Sequence, residues 1–176
     1  NLQESIQDLG NAGDIDHLDW RSYHFLAAIR ATLSHSLHPA STLLAVIDEV
    51  SPPDTQEFMA GLADVDEGVF GEGEEREMAW VMQTLNEGLL GCYVRVLRDN
   101  PQVAAKHYQS DSVMRTMAGL DTLISLLERV VSEKTFNLRA TEYAAYRNAE
   151  SAAPQPSALV VSRRSPEPSR GLGDVL

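Results

Sequence analysis

Residues 75–98 read EREMAWVMQTLNEGLLGCYVRVLR. Met78, Val81, Leu85, Leu89, Cys92 and Val96 recur at spacings of three and four, the repeat of one helical face, and Met82, Tyr93 and Leu97 widen the stripe. The spacing predicts one buried central helix over the whole stretch. Gly88 and Gly91 lie inside it, each costing roughly 1 kcal/mol relative to Ala, and close approach of a neighbouring helix is the expected compensation. Both therefore read as packing positions, and Cys92 reads as a small core hydrophobe.

Outward from this stretch, Asn100-Pro101 restarts the chain with an N-cap and a proline at the first helical position, which predicts a short helix to about Tyr108. Leu120, Leu123, Ile124, Leu127, Val130 and Val131 form a second stripe. Its expected neighbour is a long helix from Asp19 to Leu37, carrying Phe25, Leu26, Ile29, Leu33 and Leu37. Shorter helices fit 2–9, 41–50, 54–64 and 138–149, with Ser51 or Asp54 as caps and Pro39 and Pro52-Pro53 as breakers. No segment alternates apolar and polar residues for long enough to require a strand. The expected fold is all-α, a compact multi-helix domain of about seven or eight helices over residues 1–149. From residue 150 the composition turns to Ser, Ala, Pro and Arg without a helical stripe, and 150–176 reads as a disordered tail.

The chain has 176 residues, with 14 Lys plus Arg against 26 Asp plus Glu, a formal charge of −12. Such a chain as a whole repels nucleic acid and anionic lipid, so neither is an expected partner and membrane association is at most indirect. A single cysteine allows no internal disulfide and no cysteine-based zinc site, which points to a reducing, cytoplasmic setting. No apolar run reaches the ~18–20 residues of a membrane span, no secretory leader opens the sequence, and the absent initiator Met suggests a piece of a longer protein. Acidity is concentrated: residues 48–77 hold eleven acids against one base, Arg76, whereas 78–147 hold seven acids and eight bases. GVFGEG at 68–73 reads as a flexible loop into the central helix. Its acids do not follow the alternate spacing of a calcium loop, and Glu74 and Glu75 suit the positive end of the helix that follows.

Catalytic constellations are weak. The histidines at 17, 24, 35, 38 and 107 show permissive metal-ligand spacing and no HExxH, and surface or capping roles suit them better. No GxSxG, P-loop or GxGxxG occurs. Neither an enzymatic activity nor a cofactor is expected. Arg95, Arg98, Lys106, Arg115 and Arg129 stand out instead, since arginine is enriched at protein interfaces and the group suits an acidic partner.

A set of ordered blocks then resembles the RUN domain family. They are Arg76-Glu77-Met78-Ala79-Trp80-Val81, Leu85-Asn86-Glu87 continuing to Tyr93, Lys106-His107-Tyr108, Ser112-Val113-Met114-Arg115, Leu126-Leu127 and Phe136-Asn137-Leu138. Upstream, Leu33-Ser34-His35-Ser36-Leu37 resembles the family's L-x-H-G-L helix end. Two departures stand out: Met78 replaces an arginine before A-W, and Ser36 replaces the glycine of H-G-L. The segment between these two blocks is also short.

The resemblance implies a non-catalytic helical module that serves effectors of Rab, Rap or Arf-like small GTPases in vesicle or endosomal transport. It implies that His35 and Arg76 inherit a partner-contacting role, and that Trp80, Leu85 and Tyr93 are core. Helical phase places Arg95, Arg98 and Arg115 on the surface as further partner-binding candidates. The alternative is a scaffold that ignores nucleotide state and binds a coiled-coil, motor or cytoskeletal protein. A lipid-carrying domain is less compatible with the acidic balance. In the tail, Arg163-Arg164-Ser165-Pro166 makes Ser165 a candidate phosphosite.

Overall fold

A computed structural model describes residues 1–10, 14–52 and 73–152. The expected helix at 54–64, the loop at 68–73 up to residue 72, most of the acidic stretch and the tail from residue 153, with Ser165, lie outside the described residues, while 150–152, expected in the tail, continue the last helix.

Eight α-helices occur among the described residues, in the order α1 (Leu2–Leu9), α2 (Trp20–Ser34), α3 (Leu43–Val50), α4 (Glu74–Asn86), α5 (Leu90–Asp99), α6 (Pro101–His107), α7 (Met117–Glu133) and α8 (Ala140–Ala152). A single 3-10 turn, Val113–Arg115, precedes α7. No strand is formed among the described residues, and the fold is all-α. Two isolated backbone bridges, Ile15 with Phe136 and Leu37 with Tyr108, tie loops together.

Four of the eight helices start on a side-chain cap. Asn1 and Asp19 close capping boxes, the Asp19 carboxylate accepting from the Ser22 N–H at 2.8 Å. Although burial works against its charge, the Ser22 amide and hydroxyl hold the Asp19 carboxyl below its ordinary range. Thr42 and Thr116 cap α3 and α7 through their side chains. Asn100 precedes Pro101 as expected, but its side chain turns back to donate to the Val96 carbonyl at 2.8 Å, so it serves the end of α5 rather than the start of α6.

The single central helix expected over 75–98 is two helices. Gly88 has φ 70°, in the left-handed region. The Leu89 N–H donates to the Thr84 carbonyl at 2.7 Å and the Gly88 N–H to the Leu85 carbonyl at 3.0 Å, the paired bonds of a Schellman end. A Cβ on Gly88 would also stand 3.2 Å from Val131 Cγ1, so this glycine is required by the turn and by the close approach of α7. Gly91 is different. A Cβ there would meet Glu128 Cγ at 3.4 Å, an ordinary contact.

The break re-phases everything after it. In α4 the expected stripe of Met78, Val81 and Leu85 is buried, together with Trp80 and Met82. In α5 the buried face is Leu90, Tyr93, Val94 and Leu97, which leaves Cys92 exposed and Leu89 and Val96 at 38% and 37% exposure. The assignment of Leu89, Cys92 and Val96 to a core stripe is thus overturned by the turn at Gly88. The long first helix is also shorter than expected, ending at Ser34 where His35 turns extended at φ −63° and ψ 127°, with Ser36 following at φ 57°.

α5 and α7 make the most extensive helix pair, followed by α1 with α2 and α2 with α4, and α8 packs on α4. Phe25 of α2 stacks on Phe136 at 6.0 Å between ring centres, and Trp80 packs against Tyr93 at 5.2 Å. Asn86 exchanges two hydrogen bonds with the backbone of Leu138, both at 2.9 Å, fixing the approach to α8. Tyr143 and Tyr146 of α8 then stack on Tyr23 of α2, and burial pushes the Tyr143 hydroxyl up to about 12.

Candidate partner-binding site

The sequence-derived site residues fall in three places. Arg95 and Arg98 lie on the seam between α5 and α7. Arg95 pairs with Glu128 of α7, while Arg98 pairs with Asp99 at 2.9 Å and with Asp121 of α7 at 3.1 Å. Both guanidinium charges are thereby met within the chain, and exposed pairs of this kind contribute roughly 0–1 kcal/mol each.

Arg76 lies half-buried in the first turn of α4. The carboxylates around it are engaged with arginines that sequence reasoning passed over. Arg30 of α2 donates to Glu77 at 2.7 Å and faces Glu74 at 3.3 Å, and Arg147 of α8 donates to Glu75 at 3.1 Å. Glu77 is buried, so its charge depends on Arg30. These acids both favour the start of α4 and fasten it to α2 and α8. The one available signal was Arg30 itself, a charge set among Phe25, Leu26, Ile29 and Leu33.

His35 and Arg115 belong to the third place, where the chain leaves α2 and where the 3-10 turn enters α7. The loop after α2 is sewn to the segment after α6. The His38 N–H donates to the His107 carbonyl at 2.8 Å, the Gln109 N–H to the Ser36 carbonyl at 2.8 Å, and the Ser112 hydroxyl to the His35 carbonyl at 3.1 Å. The buried Tyr108 hydroxyl donates to the Leu33 carbonyl at 2.7 Å, and burial pushes that hydroxyl strongly upward.

Behind this loop sits a polar cluster that the sequence did not announce. Buried His107 places Nε2 2.7 Å from the Glu49 carboxylate and Nδ1 3.3 Å from the Ser41 hydroxyl, and Lys106 reaches the same Glu49 oxygen at 2.6 Å. Hydrogen bonds from Lys106 first and His107 second hold the Glu49 carboxyl below its ordinary range. The serine–histidine–glutamate order resembles a hydrolytic triad, but these side chains link α3 to α6 and line none of the larger cavities.

His35 opens onto a cavity of about 610 Å³ walled by Leu2, Ala28, Ala31 and Val113, with Asp111 beside it. A second space of about 440 Å³ shares Leu2, Thr32 and Val113 with it and continues along α7 past Ala118, Leu123 and Leu126. Together they form one trough bounded by α1, α2, the 3-10 turn and α7. Val113 is 40% exposed and Met117, at the start of α7, is 60% exposed. Arg115 is exposed between them and makes no ion pair among the described residues. Apolar side chains reachable from solvent and polar groups left unneutralised thus coincide at this end of the molecule.

Among the described residues no three His, Cys, Asp or Glu side chains are grouped to hold a metal ion, and no helix is long and apolar enough to cross a membrane. No curated protein matches the sequence significantly. The family model for the RUN domain matches residues 24–142, well over half of the chain, and covers α2 from His24 onward, the His35 loop, the broken 75–98 stretch and α7. With the ordered blocks from His35 to Leu138 all inside or beside that match, the chain belongs to the RUN domain family.

Proposed function

We propose that this protein is a non-catalytic interaction domain that binds a Rab, Rap or Arf-like small GTPase in its GTP-bound form and serves vesicle or endosomal transport on the cytoplasmic side of the membrane. The RUN family membership supplies the interaction role in outline. The observation that supports the finer reading is the trough beside His35, Val113 and Arg115, where a partner meets an apolar floor and two polar tips, His35 Nε2 and the Arg115 guanidinium, without a partner among the described residues. A partner of this class is distinguished by its switch segments, and only contacts that differ between its two nucleotide states produce a state-dependent complex. A rigid trough held by backbone hydrogen bonds suits that task, because little ordering accompanies binding. With a charge of −12, the chain reaches the membrane through the GTPase and not through lipid headgroups.

The test is capture by the full 176-residue chain of a panel of Rab, Rap and Arf-like GTPases, each loaded with a GTP analogue or with GDP. Selective capture of a GTP-loaded member, weakened by His35→Glu and Arg115→Glu, is the expected result. Capture of none by the folded protein overturns the reading and favours a scaffold for a coiled-coil, motor or cytoskeletal partner.

A further inference from the structure

Ser36 is the one residue other than glycine with positive φ among the described residues, at 57°. In that region a Cβ crowds the following carbonyl oxygen, and serine is disfavoured. The surroundings hold it there regardless. Its carbonyl accepts from the Gln109 N–H at 2.8 Å, the neighbouring Leu37 carbonyl accepts from the Gln109 side chain at 3.0 Å, and the His35 carbonyl accepts from Ser112. Nothing in this backbone arrangement calls for a side chain, and glycine would meet it without strain.

What serine adds is a hydroxyl, and it lies 3.0 Å from Nδ1 of His35. Among the described residues Nε2 of His35 has no hydrogen-bond partner. A neutral imidazole that accepts at Nδ1 carries its proton on Nε2. We propose that Ser36 is a positioning residue for the trough: its hydroxyl donates to Nδ1 of His35, fixes the Nε2–H tautomer and leaves that N–H to donate to an amide oxygen of the partner. Asp111, on the wall of the same cavity, is an acceptor. Asn1 and Thr32 line the cavity as well, and His35 and Asp111 add a donor and an acceptor between the apolar walls, which suits the donor–acceptor pair of a peptide group or of an Asn or Gln side chain. This inference rests on the interaction reading above and specifies the chemistry at that site.

The experiment uses the full chain labelled with 15N-histidine at neutral pH, the His35 signals being assigned by their loss in His35→Gln. The nitrogen shifts report Nε2–H as the dominant tautomer in the parent, and Ser36→Gly and Ser36→Ala both move them toward a mixture. A serine with a merely structural role leaves them unmoved. Ser36→Gly raises stability whereas Ser36→Ala lowers it or leaves it unchanged, so a shared spectroscopic change is not a folding effect. Both weaken binding of the captured GTPase by the factor by which the Nε2–H fraction falls, about twofold for an even mixture of tautomers. Identical shifts in all three proteins, an Nδ1–H tautomer in the parent, or a moved tautomer with unchanged affinity each overturn the proposal. If no GTPase of the panel binds, the functional reading fails with its partner contact, and the nitrogen shifts still decide whether Ser36 sets the His35 tautomer.

Discussion

The α5–α7 seam and the loop end around His35 both carry charged residues that the sequence singles out, and the fold treats them in opposite ways. On the seam, Arg95 and Arg98 find Glu128, Asp99 and Asp121, so their charge is spent within the molecule. At the loop end, backbone groups are satisfied first, by His107, Gln109 and Ser112, and Nε2 of His35 and the Arg115 guanidinium are left without a partner among the described residues. A basic residue on an exposed helix face is thus poor evidence of a partner until its nearest carboxylates are known. A side chain held by its own backbone and unpaired at its tip is better evidence.

The largest expected effect breaks the seam. Gly88→Val places a β-branched side chain at φ 70° and 3.2 Å from Val131, and chemical denaturation should show a loss of roughly 2–3 kcal/mol. Gly91→Ala, three residues on but inside α5, meets Glu128 Cγ at only 3.4 Å and should leave stability unchanged or raise it by up to about 1 kcal/mol. Equal losses at the two glycines would contradict the break in the central stretch.

At the loop end, Tyr108→Phe removes the donor to the Leu33 carbonyl without opening a large cavity, and a loss of about 1–2 kcal/mol is expected by the same method. The polar cluster behind the loop gives a pH dependence. The Glu49 carboxyl is held below 4.5 when folded, so the unfolded chain binds more protons there and folding gains from the ionised form. That gain is complete above pH 4.5 and drains away as pH falls through the lower, folded value. Glu49→Gln should flatten this part of the acid limb in a melting-temperature series, and an unchanged limb would show that Lys106 and His107 do not depend on the carboxylate.

The smallest effect is expected on the seam charges. Arg95→Ala and Glu128→Ala, singly and together, should give a coupling below about 0.5 kcal/mol in a double-mutant cycle, because both side chains are more than two-fifths exposed.

Much of the fold was legible in the sequence because it is written locally. Pro101 at a first helical position and the stripes from Phe25 to Leu33 and from Leu120 to Val130 announce their helices through local chemistry and period alone. The interruption at Gly88 was not legible, since a glycine tolerated within a helix and one that ends it look alike without φ. That one turn moved Cys92 and Val96 from the expected core to the surface and brought Leu90 and Val94 inward. The candidate site was legible only in part. His35 and Arg115 could be named, but their common surface depends on hydrogen bonds spanning more than seventy residues, such as Ser112 to His35. The pairing of Arg30 with Glu74 and Glu77 is also non-local, and no spacing along the chain encodes it.

The most direct test of the account is the affinity of the captured GTP-loaded GTPase for two double variants of the full chain, His35→Gln with Arg115→Ala and Arg95→Ala with Arg98→Ala, measured side by side. A loss of roughly tenfold or more for the first pair and less than about threefold for the second is the predicted result. The reverse order would place the partner on the α5–α7 seam and contradict the account.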